Sequence, residues 1–384
     1  MRTNLIVAHY NEVFFARSET FIYHYISNFT QISPILIART FENFEFFPYS
    51  KPDCYSLPIE FPQRRTPAWL SAKLSQKLFG TCFTGEEILC RQKRVKLIHA
   101  HFGPQGYFAV NWFEKKRIPV ITNFYGFDVS ELPNDPLWQR RFKILFELGR
   151  LFLVEGKFMK EKLFQIGCPK EKIQIQRIAI PLDKLTFRPR LPKSSQEKTV
   201  FIFCGRFVEK KGLAYIIDAL AEIKESRSDF EFRVIGDGPL KEEIQQQVKE
   251  RNLLKHVLFL GFLTYEKYIE ELSKADIFIH PSVTSRTGDT EGGAPTVILE
   301  AQAMGLPVVA TYHADIPNIV SPQQSALLSK ERDIQGLTAN ILKILNNQDQ
   351  WAQMGKAGRA FVEEFHDIKK EVVVLEKRYH ETAL

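Results

Sequence analysis

The amino-acid sequence predicts an α/β protein with two domains, each a parallel sheet covered by helices. Short apolar runs rich in β-branched residues alternate with amphipathic runs along the chain, which is the pattern of βαβ units. The alternation occurs twice, on either side of a Pro- and Lys-rich stretch without periodicity at residues 181–198. A length of 384 residues also suits two domains of ordinary size.

In the first half, the pattern predicts strands separated by helical segments. A helix over residues 18–29 opens with Ser18, a residue type that caps helix N-termini, and a second helix ends at Gln165. Strands are expected at residues 4–9, 33–39, 95–100, 119–124, 150–154 and 174–178. Ligands on parallel sheets bind at the carboxyl ends of strands, so His101 and Asp128, which follow two of these strands, are candidate site residues.

The second half repeats the alternation and ends in a long helical tail. Strands are expected at residues 199–204, 230–235, 257–260, 276–280, 307–311 and 326–328. Helices are expected at residues 213–225, 240–250, 265–274, 295–304 and 333–346. We therefore divide the chain into a first domain at 1–185, a linker at 186–198, a second domain at 199–355 and a C-terminal helix at 356–384.

The composition favours a cytoplasmic protein with a full hydrophobic core. Hydrophobic residues make up 44% of the chain and charged residues 25%. No apolar run is long enough to span a bilayer, and the first residues read as a strand because their apolar run is too short for a signal peptide. The five Cys are scattered, odd in number and without a CxxC pair, which favours a reducing compartment and argues against a disulfide framework or a zinc site.

Positive charge is concentrated between residues 62 and 96. Eight Lys or Arg face two Glu in this window, a net +6 out of +7 for the whole chain. Such a segment suits an anionic membrane, nucleic acid or a phosphorylated substrate, and nucleic acid is the least favoured because no nucleic-acid-binding motif accompanies it. The amphipathic run at 68–79 is either a core-facing helix or a helix lying on anionic lipid. We expect peripheral attachment to the inner face of the cell membrane.

A glycine-rich stretch before a predicted helix forms the strongest candidate site. Residues 285–295 are polar and Gly-rich, and they lead into the helix at 295–304. Free amides and the helix dipole at such a junction favour a negatively charged ligand. Glu300, one turn into the helix, instead suits a ribose diol, which a carboxylate can bind through two hydrogen bonds. A phosphate next to a ribose describes a nucleotide-sugar site; the alternative is an ordinary capped helix with a solvated glutamate.

Two cations follow the first strand of the second half. Arg206 and Lys211 lie in the turn after Cys204 and would neutralise a departing nucleoside diphosphate. Such charge is otherwise balanced by a metal on acidic residues, but the sequence has no D-x-D, so we expect no metal and no further cofactor. The alternative is a turn whose cations are only solvated. The turn at Gly236-Asp237-Gly238 lacks the third glycine of a dinucleotide fingerprint and is interpreted as a tight turn near the base.

In the first half, His101 is a candidate catalytic or sugar-contacting group. Histidine exchanges protons near neutral pH, but a strand-end histidine with a purely structural role is an equal alternative. We expect His99 to face the opposite side of the strand. Asp128 has a similar claim, with a structural Asx-turn as the alternative.

Several of these segments resemble a known family. The sequences GRFVEKKG, VIGDGP, ADIFIHPS and EGGAP…LE are similar to those of the retaining glycosyltransferases of family 4, which have the two-domain, Rossmann-like GT-B fold. The segments SETF, HAHFG and YGFD resemble the N-terminal half of exopolysaccharide- and colanic-acid-type members. The resemblance implies an α/β GT-B fold with a cleft between its domains and a C-terminal helix that crosses back to the first domain.

The resemblance also implies roles for individual residues. Arg206 and Lys211 would hold the donor diphosphate, Glu300 the ribose, and Glu291 with the loop amides the donor sugar and β-phosphate. His101 would line the reaction site. The implied donor residues are Arg206, Lys211, Gly238, Glu291, Gly292, Gly293, Ala294, Pro295, Thr296 and Glu300; those implied on the acceptor side are Gly103, Tyr125 and Asp128.

Two features depart from the family pattern. Glu291 and Glu300 are one residue further apart than the usual E-x7-E, and Tyr125 replaces the histidine of the common HG-x-D segment. The expected function is retaining transfer of a sugar from a nucleoside diphosphate to a saccharide acceptor, often lipid-linked, for a cell-surface polysaccharide. A nucleotide-sugar 2-epimerase and an inactive sugar-binding partner are the alternatives.

Overall fold

The computed structural model describes residues 4–49, 53–56, 89–90, 92–113, 118–194 and 196–384. Within them, the strands form two parallel sheets, one in each half, with orders β3-β2-β1-β4-β5-β6-β7 and β10-β9-β8-β11-β12-β13. The strands of the first half are β1 Leu5–Phe14, β2 Ile32–Phe41, β3 Cys54–Ser56, β4 Leu97–His101, β5 Val120–Asn123, β6 Leu151–Val154 and β7 Ile173–Ile175. Those of the second half are β8 Thr199–Cys204, β9 Phe230–Ile235, β10 Val257–Gly261, β11 Ile277–His280, β12 Val308–Thr311 and β13 Ala326–Ser329.

Helices connect most successive strands in both halves. In the first half they are α1 Thr20–Asn28, α2 Gly103–Phe113, α3 Phe127–Ser130, α4 Pro136–Leu148 and α5 Lys157–Gln165. In the second half they are α6 Leu213–Lys224, α7 Lys241–Glu250, α8 Tyr265–Lys274, α9 Thr296–Ala303, α10 Ile334–Asn346, α11 Trp351–Phe365 and α12 Ile368–Ala383. The predicted α/β class with two Rossmann-like sheets is confirmed.

Both sheets are covered on both faces, which explains why their strands are continuous apolar runs. Every residue of β5 and β12 is buried. One apolar cluster lies on each face of each sheet, so each half has a core of its own.

Three helices of the first half, α2, α3 and α4, were not predicted, and the two longer ones were missed for different reasons. Helix α2 begins Gly103-Pro104 and contains Gly106, so its helix propensity is low; Gly106 fits because a β-carbon there would lie 2.4 Å from Thr122 Oγ1. The start of helix α4 could have been predicted from the sequence, because Asp135-Pro136 is a typical helix start. In the structure, Asp135 accepts a hydrogen bond from the N–H of Leu137, and Pro136 occupies the first turn.

The helical tail is two helices rather than one. His366 ends α11, and Asp367 begins α12 by accepting the N–H of Lys369. The break is stabilised by contacts with the end of the first half: His366 Nδ1 lies 2.6 Å from the carbonyl oxygen of Ile178, and Ile180 bridges Asp367.

Helix α12 packs on the first sheet although it ends the chain. Its residues Ile368, Val372, Leu375 and Tyr379 belong to the same apolar cluster as β1 and β4. The carboxylate of Glu376 accepts the N–H groups of Thr30 and Gln31 at 2.6 and 2.7 Å. The amphipathic run predicted at 68–79, and all of the basic segment 62–96 except 89–90 and 92–96, lie outside the described residues.

The strand orders determine where a ligand can bind. In the first sheet, successive strands are added on one side of β1 and then, from β4 onwards, on the other side. In the second sheet the same switch in strand order lies between β8 and β11. Parallel sheets bind ligands at such switch points, beyond the carboxyl ends of the strands. The residues after β1, β4, β5 and β6 therefore face those after β8 and β11.

Candidate active site

The turn after β8 and the loop after β11 meet in a buried ion pair. Lys211 Nζ lies 2.6 Å from Glu291 Oε2, and the two side chains are 15% and 5% exposed. Lys211 is the last residue of the turn that follows β8. Gly212 comes next and takes a left-handed conformation (φ 69°), which directs the chain into α6. The structure thus brings together two residues that are 80 positions apart and that the sequence placed in one site.

Glu291 is held on every side. Its Oε1 accepts a hydrogen bond from Ser282 Oγ at 2.6 Å and lies 3.2 Å from His280 Nε2. Its backbone N–H donates to His313 Nε2 at 3.0 Å. That nitrogen is therefore unprotonated, and His313 Nδ1 donates to Glu331 Oε1 at 2.7 Å.

These contacts keep Glu291 charged. Burial raises the pKa of its carboxyl, but Lys211 and His280 outweigh burial and hold the pKa well below its usual value. A buried negative charge beside a buried positive charge costs little only while both remain. Glu291 and Lys211 therefore form a single preorganised unit at the cleft.

Arg206 differs from Lys211 because it is exposed. It lies within electrostatic range of Glu19, which comes from the other half. Glu19 accepts a hydrogen bond from Asn11 Nδ2 at 3.2 Å. Burial raises the pKa of Glu19 to about 7, and Asn11 and Arg206 act in the opposite direction. The two halves thus face each other with opposite charges beyond β1 and β8.

Glu300 lies on α9 and is buried, with 3% of its surface exposed. Its Oε2 accepts a hydrogen bond from the hydroxyl of Tyr268 at 2.9 Å. Burial raises the pKa of Glu300 to about 7, while the hydroxyls of Tyr268 and Tyr265 lower it. The thiol of Cys204 lies within electrostatic range of both Glu300 and Lys211, so the predicted ribose and diphosphate residues share one region.

The glycine loop, residues 291–295, rests directly on the first half. A β-carbon on Gly292 would lie 2.4 Å from the Cα of Gly126, and Gly292 has φ 74°. A β-carbon on Gly293 would lie 1.8 Å from Glu155 Oε2. Glu155 Oε2 accepts a hydrogen bond from the N–H of Ala294 at 3.1 Å. Only glycine allows the loop to approach the other half this closely.

A second carboxylate crosses the cleft in the opposite direction. Asp315, in the second half, accepts the N–H groups of Phe158 and Met159 at 2.9 and 3.1 Å. These amides open helix α5 of the first half, where the helix dipole favours a negative charge. Each half therefore supplies a carboxylate to the amino end of a helix in the other.

Asp128 and Gly103 have structural roles. The Asp128 carboxylate is fully buried and accepts three backbone N–H groups, from Gly103, Tyr125 and Gly126, each at 3.0 Å. Burial raises its pKa to about 6, and these amides lower it. A β-carbon on Gly103 would lie 2.7 Å from the Phe124 ring. Asp128 joins the turns after β4 and β5, but the amides that it accepts precede it in the sequence, so the contact differs from the Asx-turn given as the alternative.

His101 is 2% exposed and is hydrogen-bonded to the half-buried Tyr125. Its Nδ1 is hydrogen-bonded to the Tyr125 hydroxyl at 2.7 Å, and its Nε2 to His9 Nδ1 at 3.0 Å. Burial lowers the pKa of His101 well below the usual value, as do His99 and His9, so the ring is neutral near pH 7. The half-buried Tyr125, in the position where the family has a histidine, is the outer member of this chain.

The expectation that His99 faces away from His101 was wrong. Residues two apart share one face of a strand, and the two rings stack with centroids 4.5 Å apart and planes 29° apart. The ring nitrogens of His9, His99 and His101 lie within 4.8 Å of one another. Both ring nitrogens of His101 are in hydrogen-bond contact, one with Tyr125 and one with His9. His99 Nδ1 is hydrogen-bonded to the hydroxyl of Tyr379 on α12.

The comparisons with known proteins agree with this arrangement. The family described as "Glycosyl transferases group 1" matches residues 186–361. The chain is 32% identical over 283 residues to the putative colanic acid biosynthesis glycosyltransferase WcaL of Escherichia coli K12, covering 73% of this chain and 68% of that protein. The chain belongs to this glycosyltransferase family.

Other relatives of this glycosyltransferase extend the comparison. The amylovoran biosynthesis glycosyltransferase AmsK of Erwinia amylovora is 32% identical over 265 residues, covering 68% of this chain and 64% of that protein. The structure of Anabaena HepE in complex with UDP has a TM-score of 0.77 at 15% identity, covering 98% of this chain and 100% of that one. Sucrose-phosphate synthase from Thermosynechococcus elongatus gives 0.72 at 16% identity, covering 98% and 99%. The two-domain GT-B fold is thus confirmed.

The remaining predicted residues of the glycosyltransferase lie around the same cleft. Gly238 fits against the turn after β8, because a β-carbon there would lie 2.7 Å from the Phe207 nitrogen. Pro295 and Thr296 open α9 at the end of the glycine loop. None of the helices in the described part of the chain combines the length and apolar character that crossing a bilayer requires.

Sequence reasoning missed several residues that shape this cleft. Glu155 directly follows β6, which is the same strand-end signal that identified His101. Glu19 lies in the SETF segment, whose resemblance was noted without a role for the glutamate. No local signal marks Asp315, His280, Ser282 or His313, because their partners are brought to them only by the fold.

Proposed function

We propose that this glycosyltransferase is a retaining, family 4 enzyme that moves a sugar from a nucleoside diphosphate to a hydroxyl of a saccharide acceptor. The acceptor is lipid-linked, and the product contributes to a cell-surface polysaccharide. The names of the relatives support this role, because they assign colanic acid and amylovoran biosynthesis to the proteins that bear them. The UDP in the structurally similar HepE supports a nucleoside diphosphate donor.

The observation that carries the proposal is the buried Lys211–Glu291 pair beside the glycine loop. The pair positions a cation and a carboxylate together in a dry site, where fixed charges stabilise a transition state most effectively. Lys211 and the exposed Arg206 meet the charge that develops on the leaving diphosphate. Glu291 accepts hydrogen bonds from hydroxyls of the transferred sugar, and Glu300 binds the ribose.

Retention follows from attack on the same face of the sugar that the diphosphate leaves. The acceptor hydroxyl gives its proton to the departing phosphate oxygen while the new glycosidic bond forms and the old one breaks. No side chain has to act as a strong base in this scheme. The neutral, buried His101 then positions Tyr125 beside the sugar rather than taking a proton itself.

In this proposal the enzyme needs no metal, because the two fixed cations after β8 already balance the diphosphate. We further propose that the basic segment 62–96 holds the enzyme on the anionic inner face of the membrane, where a lipid-linked acceptor is found. That segment lies largely outside the described residues.

Substitution of the three donor residues tests the proposal. Arg206→Ala, Lys211→Ala and Glu300→Ala should each lower turnover, by roughly 10²-fold or more for a cation that stabilises the leaving group. Lys274→Ala, which removes a surface cation on α8, is the matched control and should leave turnover unchanged. Arg206→Ala is the most direct variant because Arg206 is exposed, whereas Lys211→Ala also removes the cation paired with the buried Glu291.

The measurements are transfer and donor hydrolysis with purified protein. Wild-type turnover in all three variants would remove the donor site. Conversion of the donor to a 2-epimer without an acceptor would identify an epimerase instead. Donor binding without hydrolysis or transfer to any acceptor would identify an inactive sugar-binding partner.

A further inference from the structure

The carboxyl group of Glu155 contacts the backbone amides of the glycine loop, which the proposed donor site uses to bind phosphate. Its Oε2 accepts the N–H of Ala294 at 3.1 Å, and Gly293 leaves no room for a β-carbon against the same oxygen. Glu155 belongs to the first half, directly after β6, whereas these amides lie in the second half, in the loop just before α9. The side chain is 4% exposed, so the contact excludes water.

After burial, backbone amides and carboxylates have the largest effects on the ionisation of Glu155. Burial raises its pKa well above the usual value, the amides of Ala294 and Gly293 lower it, and Asp315 and Asp128 raise it further. Its neighbours are better held, because Asp128 accepts three backbone N–H groups and Asp315 accepts two. Glu155 accepts one at hydrogen-bond distance and is the least stabilised of the three carboxylates.

We propose that the carboxyl group of Glu155 occupies part of the donor site in the ligand-free enzyme and must leave the glycine loop when the donor binds. The inference rests on the proposed donor site. A phosphate oxygen and a carboxylate oxygen compete for the same N–H donors at a helix N-terminus. Glu155 therefore sets the affinity for the donor diphosphate, because binding must replace an existing contact.

Asp315 is a useful comparison for Glu155, because it also joins the two halves but binds different amides. Asp315 also crosses the cleft and accepts amides at a helix N-terminus, but that helix is α5 of the first half, away from the glycine loop. Asp315 joins the two halves without touching the amides of the donor site. A comparison of the two carboxylates therefore separates competition with the donor from simple stabilisation of the closed arrangement.

The test is the dissociation constant for UDP and for GDP, measured by calorimetry on the full-length protein and three variants. Glu155→Gln keeps the size of the side chain but cannot ionise when the diphosphate displaces it, so the nucleoside diphosphate should bind about fivefold more tightly or better, the lower end of typical coupling between linked sites. Glu155→Asp keeps a carboxyl group but withdraws it by one methylene, and should fall between wild type and Glu155→Gln. Asp315→Asn should show no gain. Uridine and guanosine, which lack the diphosphate, should bind all variants equally.

Two results would overturn the inference. One is a Glu155→Gln protein that binds the diphosphate no better than wild type, and the other is an equal gain in Asp315→Asn. If Asp315→Asn does not fold, Asn318→Ala replaces it, because Asn318 Nδ2 donates to Asp315 Oδ1 at 2.8 Å. The donor site itself fails differently: Arg206→Ala would then bind the diphosphate as tightly as wild type. Loss of binding in Arg206→Ala without a gain in Glu155→Gln contradicts only the proposed competition by Glu155.

Discussion

At the scale of single residues, the cleft contains carboxyl groups in opposite electrostatic situations. Lys211 and His280 hold the pKa of Glu291 well below its usual value despite burial. Burial without a cation raises the pKa of Glu300 to about 7, even though two tyrosine hydroxyls lower it. The spacing of Glu291 and Glu300 resembles one family motif, but their neighbours differ. The charge of Glu291 is stabilised by nearby cationic groups, whereas burial makes the charge of Glu300 unfavourable.

Glu300→Gln should stabilise the protein at alkaline pH. The pKa of Glu300 is raised in the folded state, from 4.5 to about 7, so its contribution to stability is lost as the pH rises through this interval. Neutralising it should increase the free energy of unfolding at pH 8 by up to about 3 kcal/mol. The gain should disappear near pH 4, where the carboxyl is protonated in both states.

Urea unfolding at pH 8 and pH 4 measures this effect. Glu243→Gln, which changes an exposed glutamate on α7, is the control and should alter stability little at either pH. An equal stability of Glu300→Gln and wild type at pH 8 would show that Glu300 is not buried with its charge. Weaker nucleotide binding by the same variant would agree with its proposed contact to the ribose.

At the scale of elements, the glycine loop owes its course to contacts with the other half. Gly126 and Gly292 approach each other across the cleft, and both have positive φ. Gly293 approaches Glu155 in the same way. The sequence showed a flexible, polar loop before a helix, but the requirement for glycine at each position comes from the backbone and carboxylate opposite.

Gly292→Ala should separate the two halves. A β-carbon on Gly292 would lie 2.4 Å from the Gly126 Cα, and φ 74° is strained for alanine by about 1–2 kcal/mol. We expect a lower free energy of unfolding and a larger radius of gyration in X-ray scattering. Gly288→Ala is a matched control: φ is 89°, but the nearest atom to the new β-carbon is Asn134 Nδ2 at 3.6 Å.

The control should show the cost of the backbone strain but no change in the radius of gyration. Gly292→Ala with the stability and dimensions of Gly288→Ala would mean that the loop moves away from the first half at no cost. The close approach of the halves would then not depend on glycine at this position.

At the scale of the whole molecule, the two halves are joined by contacts across the cleft and also by the C-terminal helix. Helix α12 follows the second half in sequence but packs on the first sheet, where Tyr379 is bonded to His99 and Glu376 to Thr30 and Gln31. The charge is distributed unevenly, since residues 62–96 hold +6 of the net +7. Such asymmetry favours one orientation of the molecule on an anionic surface.

Flotation with liposomes tests this orientation. Wild-type protein should float with vesicles that contain anionic lipid, and added salt should release it because exposed charges are screened. Reversing the charge of Arg64, Arg65, Lys73 and Lys77 should abolish flotation. Reversing Lys249, Arg251 and Lys255, on the second half, is the control and should have little effect. Flotation that is insensitive to salt and to the first set of changes would contradict a basic membrane contact.

The sequence by itself determined the α/β class, the positions of most strands along the chain, and the turn after β8 and the glycine loop as candidate site segments. These follow from local patterns: apolar runs of strand length, caps, and glycines before a helix carry their signal within a few residues. Only the tertiary structure decided that Glu155 contacts the glycine loop and that Asp315, from the second half, binds the amides that open α5 in the first. It also decided that the rings of His9, His99 and His101 lie together. Those contacts join residues far apart in the chain, and their free energy depends on distances, burial and neighbouring charges that no local pattern contains.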